Sequence, residues 1–415
     1  MSDVFLSAGV RTPFVKAGGV YARHSALALS IPVVQRMRAQ ARPDLLVWGQ
    51  VIPDPTISNI ARELVFEAGL EPTIPAYSTV LACSTSFMAT LQAAGLIGRG
   101  DMHLALVGGV ESMSHVAIAL KSAVAERLLG EFAVDPAAAL ESFKKLTPAD
   151  FELPTKGWAN RVSGRTMGEH MEDTAKELGI SREEQDRRAL LSHEGAIRGQ
   201  DSGFFRDLIL PFAGIDQDTF PRRDTSLEKL AKLPAVFDRA SGSITAGNSS
   251  PLTDGAAAIW VGDTEGLARL GVKSAVKLVD WEVDAVDFRV DGMLMAPARA
   301  IPRLLSRHRL RAEEIALWEI HEAFAAQLIA NLKAAADPVY RHEKAGVDFD
   351  IGSFPMDRIN PNGGSIALGH PFGSTGARIL SQAVKELTAM PAGARAVVSV
   401  CADGGQGTVA LLQRV

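Results

Sequence analysis

The chain has 415 residues, 47% hydrophobic and 22% charged, with a formal net charge of −5. That length exceeds one ordinary core, so two or three domains are expected, and the composition is that of a soluble globular protein. The small negative charge excludes a dedicated nucleic-acid or anionic-membrane binder, and no apolar run reaches the ~18 residues of a bilayer span.

From the N-terminus, "MSDVFLSAGVRTPF" lacks a basic segment followed by a long apolar core, so no secretory signal is read there. "AYSTVLAC" (76–83) reads as a strand and "STSFMATLQAAGLIGRG" (84–100) as a helix ending at glycine. Phe87, Met88, Leu91 and Ala94 fall at helical spacing within it. "MHLALVGG" (102–109) reads as the next buried strand. From about 119 to 249 the chain is richer in charge and proline, and is read as an inserted domain over α/β layers. Inside it, 168–198 carries two helices separated by "GIS", with Ser181 and Glu184 as a capping box. The run "REEQDRR" (182–188) is read as a solvated helix face. "GLARLGVKS" (266–274) departs from a P-loop and is better read as a helix ending at glycine.

Beyond it, "IALWEI" (315–320) reads as a strand and "EAFAAQLIANLKAAA" (322–336) as a helix. Residues 342–358 read as an exposed loop. "ARILSQAVKEL" (377–387) reads as a helix with Ile379, Leu380, Ala383, Val384 and Leu387 on one face. "ARAVVSVC" and "TVALLQRV" read as strands joined by the turn "ADGGQG". Alternation of strand and helix at both ends predicts α/β halves whose sheets are covered by helices. Element order suggests an internal duplication, without a residue-level repeat.

There are two cysteines, Cys83 and Cys401, which excludes a disulfide framework and fits a reducing, cytoplasmic setting. Cys83 falls where a strand meets a helix, a place where first-turn amides favour a thiolate. His370 lies in "GGSIALGHPFGSTGAR" (363–378), just before a helix whose N-terminus favours a neutral ring able to take a proton. The glycines around it allow a long substrate and other backbone segments to approach. His321 ends a strand, where it could donate to a developing oxyanion. Cys401 ends another strand beside glycines that expose backbone amides. Read singly, each is also compatible with a buried structural residue. All four fall at predicted strand ends, where open α/β sheets place their ligands. No GxGxxG after a strand, no CxxC, no HExxH and no GxSxG occurs, so no metal site is assigned.

Six blocks stand in order along the chain: "RTPF" (11–14), "ACSTSFMA" (82–89), "AGNSSPLTDGAAA" (246–258), "HEAFAAQ" (321–327), "GGSIALGHPFGSTGAR" and "CADGGQG" (401–407). With these the chain resembles the thiolase family over nearly its whole length. "HEAF" and "SNIARELVFEAG" (58–69) look like the branch of 3-ketoacyl-CoA thiolases and trifunctional-enzyme β-subunits. The resemblance implies a thiolase-like α/β fold of two duplicated halves, 1–118 with 250–272 and 273–415, and a loop domain over 119–249. It implies cleavage of 3-ketoacyl-CoA by CoA, with Cys83 as nucleophile, His370 and Cys401 moving protons, and His321 at the first oxyanion hole. Backbone amides of Cys83 and Asp403 would form a second hole, although Asp403 stands where the family usually has a small residue. Met167, Arg222, Ser250 and Phe324 would contact CoA, a substrate rather than a permanently bound cofactor. Homodimers or homotetramers are expected, with a hydratase–dehydrogenase α-subunit as a further partner. Acetoacetyl-CoA thiolase, ketoacyl-carrier-protein synthase and non-catalytic acyl-CoA carrier remain as alternatives; "CADGGQG" has no counterpart in the synthases.

Overall fold

The computed structural model describes residues 2–152, 159–272 and 275–415. The domain edge drawn at 273 therefore lies outside the described residues. Nine strands make one continuous path: β1 (Phe5–Arg11), β2 (Leu45–Gln50), β3 (Ala76–Thr79), β4 (Leu104–Glu111), β5 (Thr253–Gly262), β6 (Val276–Ala285), β7 (Leu317–Ile320), β8 (Arg395–Ala402) and β9 (Gln406–Arg414). Their spatial order is β7-β8-β9-β6-β1-β5-β4-β2-β3, and the two-residue strand Val15–Lys16 pairs with β5 off this path.

The duplication read from element order is visible in the pairing. Outward from the centre, β1-β5-β4-β2 pair antiparallel, antiparallel, parallel. Outward on the other side, β6-β9-β8-β7 repeat the same sequence of orientations. Among the described residues, the strands of the two halves pair at Phe5↔Lys277 and Leu6↔Val276. Strand side chains alternate between faces. On β5, Ala257, Ile259 and Val261 join a central core, whereas Ala256, Ala258 and Trp260 face an outer one. On β9, Ala410 and Leu412 enter that same central core, and Val409 and Leu411 face a third cluster.

The helices are α1 (Ala26–Arg38), α2 (Ile60–Glu67), α3 (Thr85–Gly98), α4 (Ser122–Val134), α5 (Pro136–Phe143), α6 (Met167–Glu177), α7 (Arg182–Asp201), α8 (Ala296–His308), α9 (Ala325–Ala336) and α10 (Thr375–Thr388), with shorter turns between them. α1 and α2 cover one outer face, and α8 and α9 another. α3 and α10 fill the centre. Ile379, Leu380, Ala383, Val384 and Leu387 are all buried there, as the spacing predicted. Among the described residues no helix is long and apolar enough to cross a membrane.

Several boundaries differ from the sequence reading. The strand predicted over 76–83 stops at Thr79, because Ala82 takes φ 43° and turns the chain. The helix predicted from 322 begins at Ala325, and Phe324 is still extended. The loop at 342–358 is not simply exposed: Ala345, Val347 and Ile351 are buried, anchoring it to the core. The capping box of Ser181 and Glu184 is present, and the helix Thr264–Leu270 ends at Gly271 in the left-handed region.

The run "REEQDRR" is a correction. Gln185, Asp186 and Arg188 on it are buried. Asp186 pairs with Arg182 at 2.7 Å and accepts from Asn248. Arg188 donates through Nε and Nη2 to Glu322 Oε1 at 3.0 and 2.6 Å. Charged residues go inside when partners satisfy them, which composition alone does not reveal. Removing one member of such a pair strands the other. Arg188→Ala is therefore expected to lower the unfolding free energy by about 3–5 kcal/mol. Urea denaturation checks this, and a loss under ~1 kcal/mol would mean the pair is not structural.

Candidate active site

Cys83 follows β3 by four residues and precedes α3; His370 precedes α10 by five. What joins them is the crossing of these helices at their N-terminal ends. A Cβ on Gly376 would lie 2.1 Å from the backbone nitrogen of Phe87, so only glycine allows this approach. The contact is fixed by Ala377 N–H donating to Ser86 Oγ at 2.8 Å. Gly373, likewise, sits where a Cβ would meet the Val110 carbonyl oxygen at 2.4 Å. These two glycines around His370 are thus consumed by protein backbone.

Other buried polar groups hold the loops. Glu111, at the end of β4, accepts from the amides of Val51, Ile52 and Gly373, tying the segment after His370 to the sheet. Burial raises its pKa to about 8. Thr408 Oγ1 donates to Ser84 Oγ, which donates to the Val400 carbonyl, fastening the Cys83 turn beside Cys401. Glu322 accepts from Arg188, Ser192, Asn360 and the Ile366 amide. Burial would raise its pKa, but Arg188 and these donors hold it below the usual value. It directs the chain between His321 and α9. In the sequence "RTPF", Arg11 makes a buried bidentate pair with Asp218 at 2.5 and 2.6 Å.

Cys83 Sγ and one nitrogen each of His321 and His370 lie within 4.8 Å of one another. The imidazole centroids are 4.1 Å apart, tilted by 46°. Three such atoms could also ligate a soft metal ion. Both histidines are buried, and Nε2 of each has no hydrogen-bond partner among the described residues. His370 Nδ1 lies 2.7 Å from Thr375 Oγ1, whose own hydroxyl donates to the Pro371 carbonyl at 3.0 Å. Thr375 therefore accepts, His370 carries its proton on Nδ1, and Nε2 keeps a free lone pair. Burial, then the charge of Arg378, pushes the His370 pKa down to about 3. His321 is likewise held well below the ordinary histidine value by burial, His370 and Arg378. Both rings are neutral.

Cys401 lies outside the 4.8 Å set, yet near enough that a Cys83 thiolate adds to the burial that raises its pKa. It packs in one apolar cluster with Phe324 and Met167. Phe324 stacks edge-on against Phe237, with centroids 6.0 Å apart, and the Ser250 amide donates to the Ala323 carbonyl. Arg222 is exposed and lines an open cleft of about 250 Å³ with His193, Lys229, Leu230, Ser249 and Ile366. Met167 and Phe324 therefore share the apolar cluster of Cys401, while Arg222 stands apart on the cleft wall.

Two backbone amides, those of Asp403 and of Cys83 itself, point at Cys83 Sγ. They favour a thiolate but lose to burial and to the Asp403 carboxylate, which together raise the thiol pKa to about 12. The amides expected at the helix start do favour a thiolate, but burial outweighs them. A thiol near 12 beside an imidazole near 3 holds no preformed ion pair. Asp403 is steadied by Asn160 Nδ2, which donates to its Oδ1 at 2.8 Å. Sequence reasoning did not find Thr375, Ser365, Arg378, Glu111 or Asn160. The first three are carried in the histidine's own glycine-rich block; for the last two no local signal exists.

The chain matches the family profile described as "Thiolase, N-terminal domain" over residues 4–265 and that of "Thiolase, C-terminal domain" over 272–414. It is 37% identical to a 3-ketoacyl-CoA thiolase of Yersinia enterocolitica, covering 99% of this chain and 96% of that one. A Yersinia pestis 3-ketoacyl-CoA thiolase is 37% identical over 98% of this chain and 95% of its own. Among solved structures, an acetyl-CoA acetyltransferase of Bacillus anthracis superposes with TM-score 0.82 at 30% identity, covering 100% and 99% of the two chains. A thiolase of Ascaris suum in complex with coenzyme A superposes with TM-score 0.79 at 25% identity, covering 100% of both.

The pKa raised to about 12 makes a direct prediction: alkylation of Cys83 by iodoacetamide keeps accelerating through pH 9 without a plateau. Asp403→Asn removes one raising charge, so its pH–rate curve shifts to lower pH. Identical curves for the two proteins would show that this carboxylate does not act on the sulfur.

Proposed function

This chain belongs to the thiolase family, and on that premise we propose that it cleaves 3-ketoacyl-CoA with CoA to acetyl-CoA and a shortened acyl-CoA. The observation that carries the reading is the convergence of the half-buried Cys83 Sγ with the nitrogens of two buried, neutral histidines. A nucleophile, a base and a hydrogen-bond donor within one substrate's reach are what acyl transfer requires.

In the first half-reaction Cys83 Sγ attacks the 3-keto carbon as its proton passes to His370 Nε2. The absence of a preformed ion pair couples these two events. The C2–C3 bond then breaks, its electron pair leaving with acetyl-CoA as an enolate, and Cys401 gives a proton to C2. His321 and His370 donate to the enolate's thioester oxygen. Acetyl-CoA departs and the acyl group stays on Cys83. In the second half-reaction the Cys401 thiolate takes the proton of a new CoA thiol, whose sulfur attacks the thioester. Amides of Cys83 and Asp403 stabilise the tetrahedral oxyanion, and Cys83 leaves and recovers its proton from His370.

CoA enters along the cleft between the two halves and the segment 119–249, which we take as a separate loop domain. Arg222 would meet its phosphates, Ser250 its pantetheine amides, and Met167 and Phe324 the arm nearest the sulfurs. CoA and acyl-CoA are substrates, and no permanently bound cofactor enters the scheme. The reading extends to a cytoplasmic homodimer or homotetramer; analytical ultracentrifugation decides between them, and co-purification would detect an α-subunit.

Brief exposure to 3-ketoacyl-CoA without free CoA is expected to add one acyl group to Cys83, seen by peptide mass spectrometry. Cys83→Ala should abolish the adduct and lower thiolysis by ~10³-fold or more, and His321→Ala should lower kcat by ~10²–10³-fold. An adduct elsewhere, or full thiolysis by Cys83→Ala, would end this reading. Preference for C4 over C8–C16 substrates would instead assign acetoacetyl-CoA thiolase activity.

A further inference from the structure

His321 can serve an oxyanion only if the nitrogen facing the substrate carries a proton. A neutral imidazole has one proton for two nitrogens, so something must place it. His321 Nδ1 lies 2.8 Å from Ser365 Oγ. The same Oγ receives Arg378 Nη2 at 2.7 Å. All three residues are buried. Burial lowers the Arg378 pKa only to about 10, so it remains a cation at neutral pH and can only donate.

Ser365 Oγ therefore spends a lone pair on Arg378 and has one hydrogen left to give. Among the described residues no other hydrogen bond from this hydroxyl occurs, so His321 Nδ1 is its acceptor. Were Nδ1 protonated instead, Oγ would accept from both sides and its own hydrogen would have no acceptor among the described residues. The arrangement at His370 is the reverse. There the hydroxyl of Thr375 is spent on the Pro371 carbonyl and must accept from the ring. Two imidazoles 4.1 Å apart thus receive opposite instructions from two hydroxyls.

We propose that Ser365, oriented by Arg378, holds the His321 proton on Nε2 and so makes this ring a hydrogen-bond donor while its neighbour His370 is a base. Ser365 and Arg378 are positioning residues: they act through His321 and need not touch substrate. The role assigned to the donor rests on the thiolase reading above. The position of the proton does not, and can be measured without substrate.

The test uses the full-length protein labelled with ring-¹⁵N histidine, with His321 assigned by comparison with His321→Asn. In substrate-free wild type, His321 should show an unprotonated Nδ1 and a protonated Nε2. In Ser365→Ala that pattern should become mixed or reversed. Its kcat for thiolysis should fall by ~10–100-fold, part of the loss from deleting an oxyanion donor outright, with KM changed less than about twofold. Ser365→Thr, which keeps a hydroxyl, should restore both the tautomer and most of kcat. A protonated Nδ1 in wild type, or Ser365→Ala with unaltered ring signals and kcat, overturns the proposal. If wild type fails to cleave 3-ketoacyl-CoA, the functional reading fails, while the nitrogen signals still decide where the proton sits.

Discussion

The site depends on one steric constraint: two helices must begin almost in contact. Gly376 at the start of α10 lies against the backbone of Phe87 at the start of α3, closer than any side chain would permit. Each helix follows a reactive residue, Cys83 in one half and His370 in the other. Strand pairing between the halves is limited, among the described residues, to two residue pairs, so this central crossing and the core around it set how the sulfur and the imidazole face each other. The surrounding core of aliphatic side chains from both halves makes the crossing rigid.

Burial then governs the chemistry. Removing water raises both thiol pKa values and lowers both histidine values, so every reacting group rests in its neutral form. Such a site stores no ion pair; the amides and imidazoles are instead arranged for charge that appears only as bonds change. Asp403 is the exception. Its carboxylate beside Cys83 opposes a thiolate, and Asn160, from the segment between β4 and β5, steadies it by a hydrogen bond. Position 403 therefore links that segment to the nucleophile through charge.

A second layer of buried polar groups supports the first. Glu322 gathers Arg188 and Ser192 from α7 together with Asn360 and the Ile366 amide, locking the middle segment onto the C-terminal half beside His321. Glu111 does the corresponding work for the loop after His370. Thr375, Ser365 and Arg378 make the finest adjustment, since they decide which ring nitrogens carry hydrogen. Each layer constrains a smaller degree of freedom than the one before it, from helix placement to loop path to proton position.

Much of this was legible in the residues themselves. Short apolar runs located β3, β4, β7, β8 and β9, though not β6, β1 and β5 at the centre of the sheet; helical spacing predicted the buried face of α10, and "SREE" marked the start of α7, because these depend on neighbours within a few positions. Cys83, His321, His370 and Cys401 stood out because each is a rare reactive type at a strand end or in a glycine-rich block. What the linear order could not contain was partnership across hundreds of positions. Arg188 looked like part of a solvated charge run until its distance to Glu322 was known, and Asn160 carried no mark of its contact with Asp403. Protonation was likewise decided in three dimensions: a cysteine near a helix start suggests a thiolate, but the depth of the pocket and a neighbouring carboxylate reverse that sign. Reactive residue types belong to the chain's order; their charge, tautomer and mutual reach arise only when folding sets the dielectric and the distances.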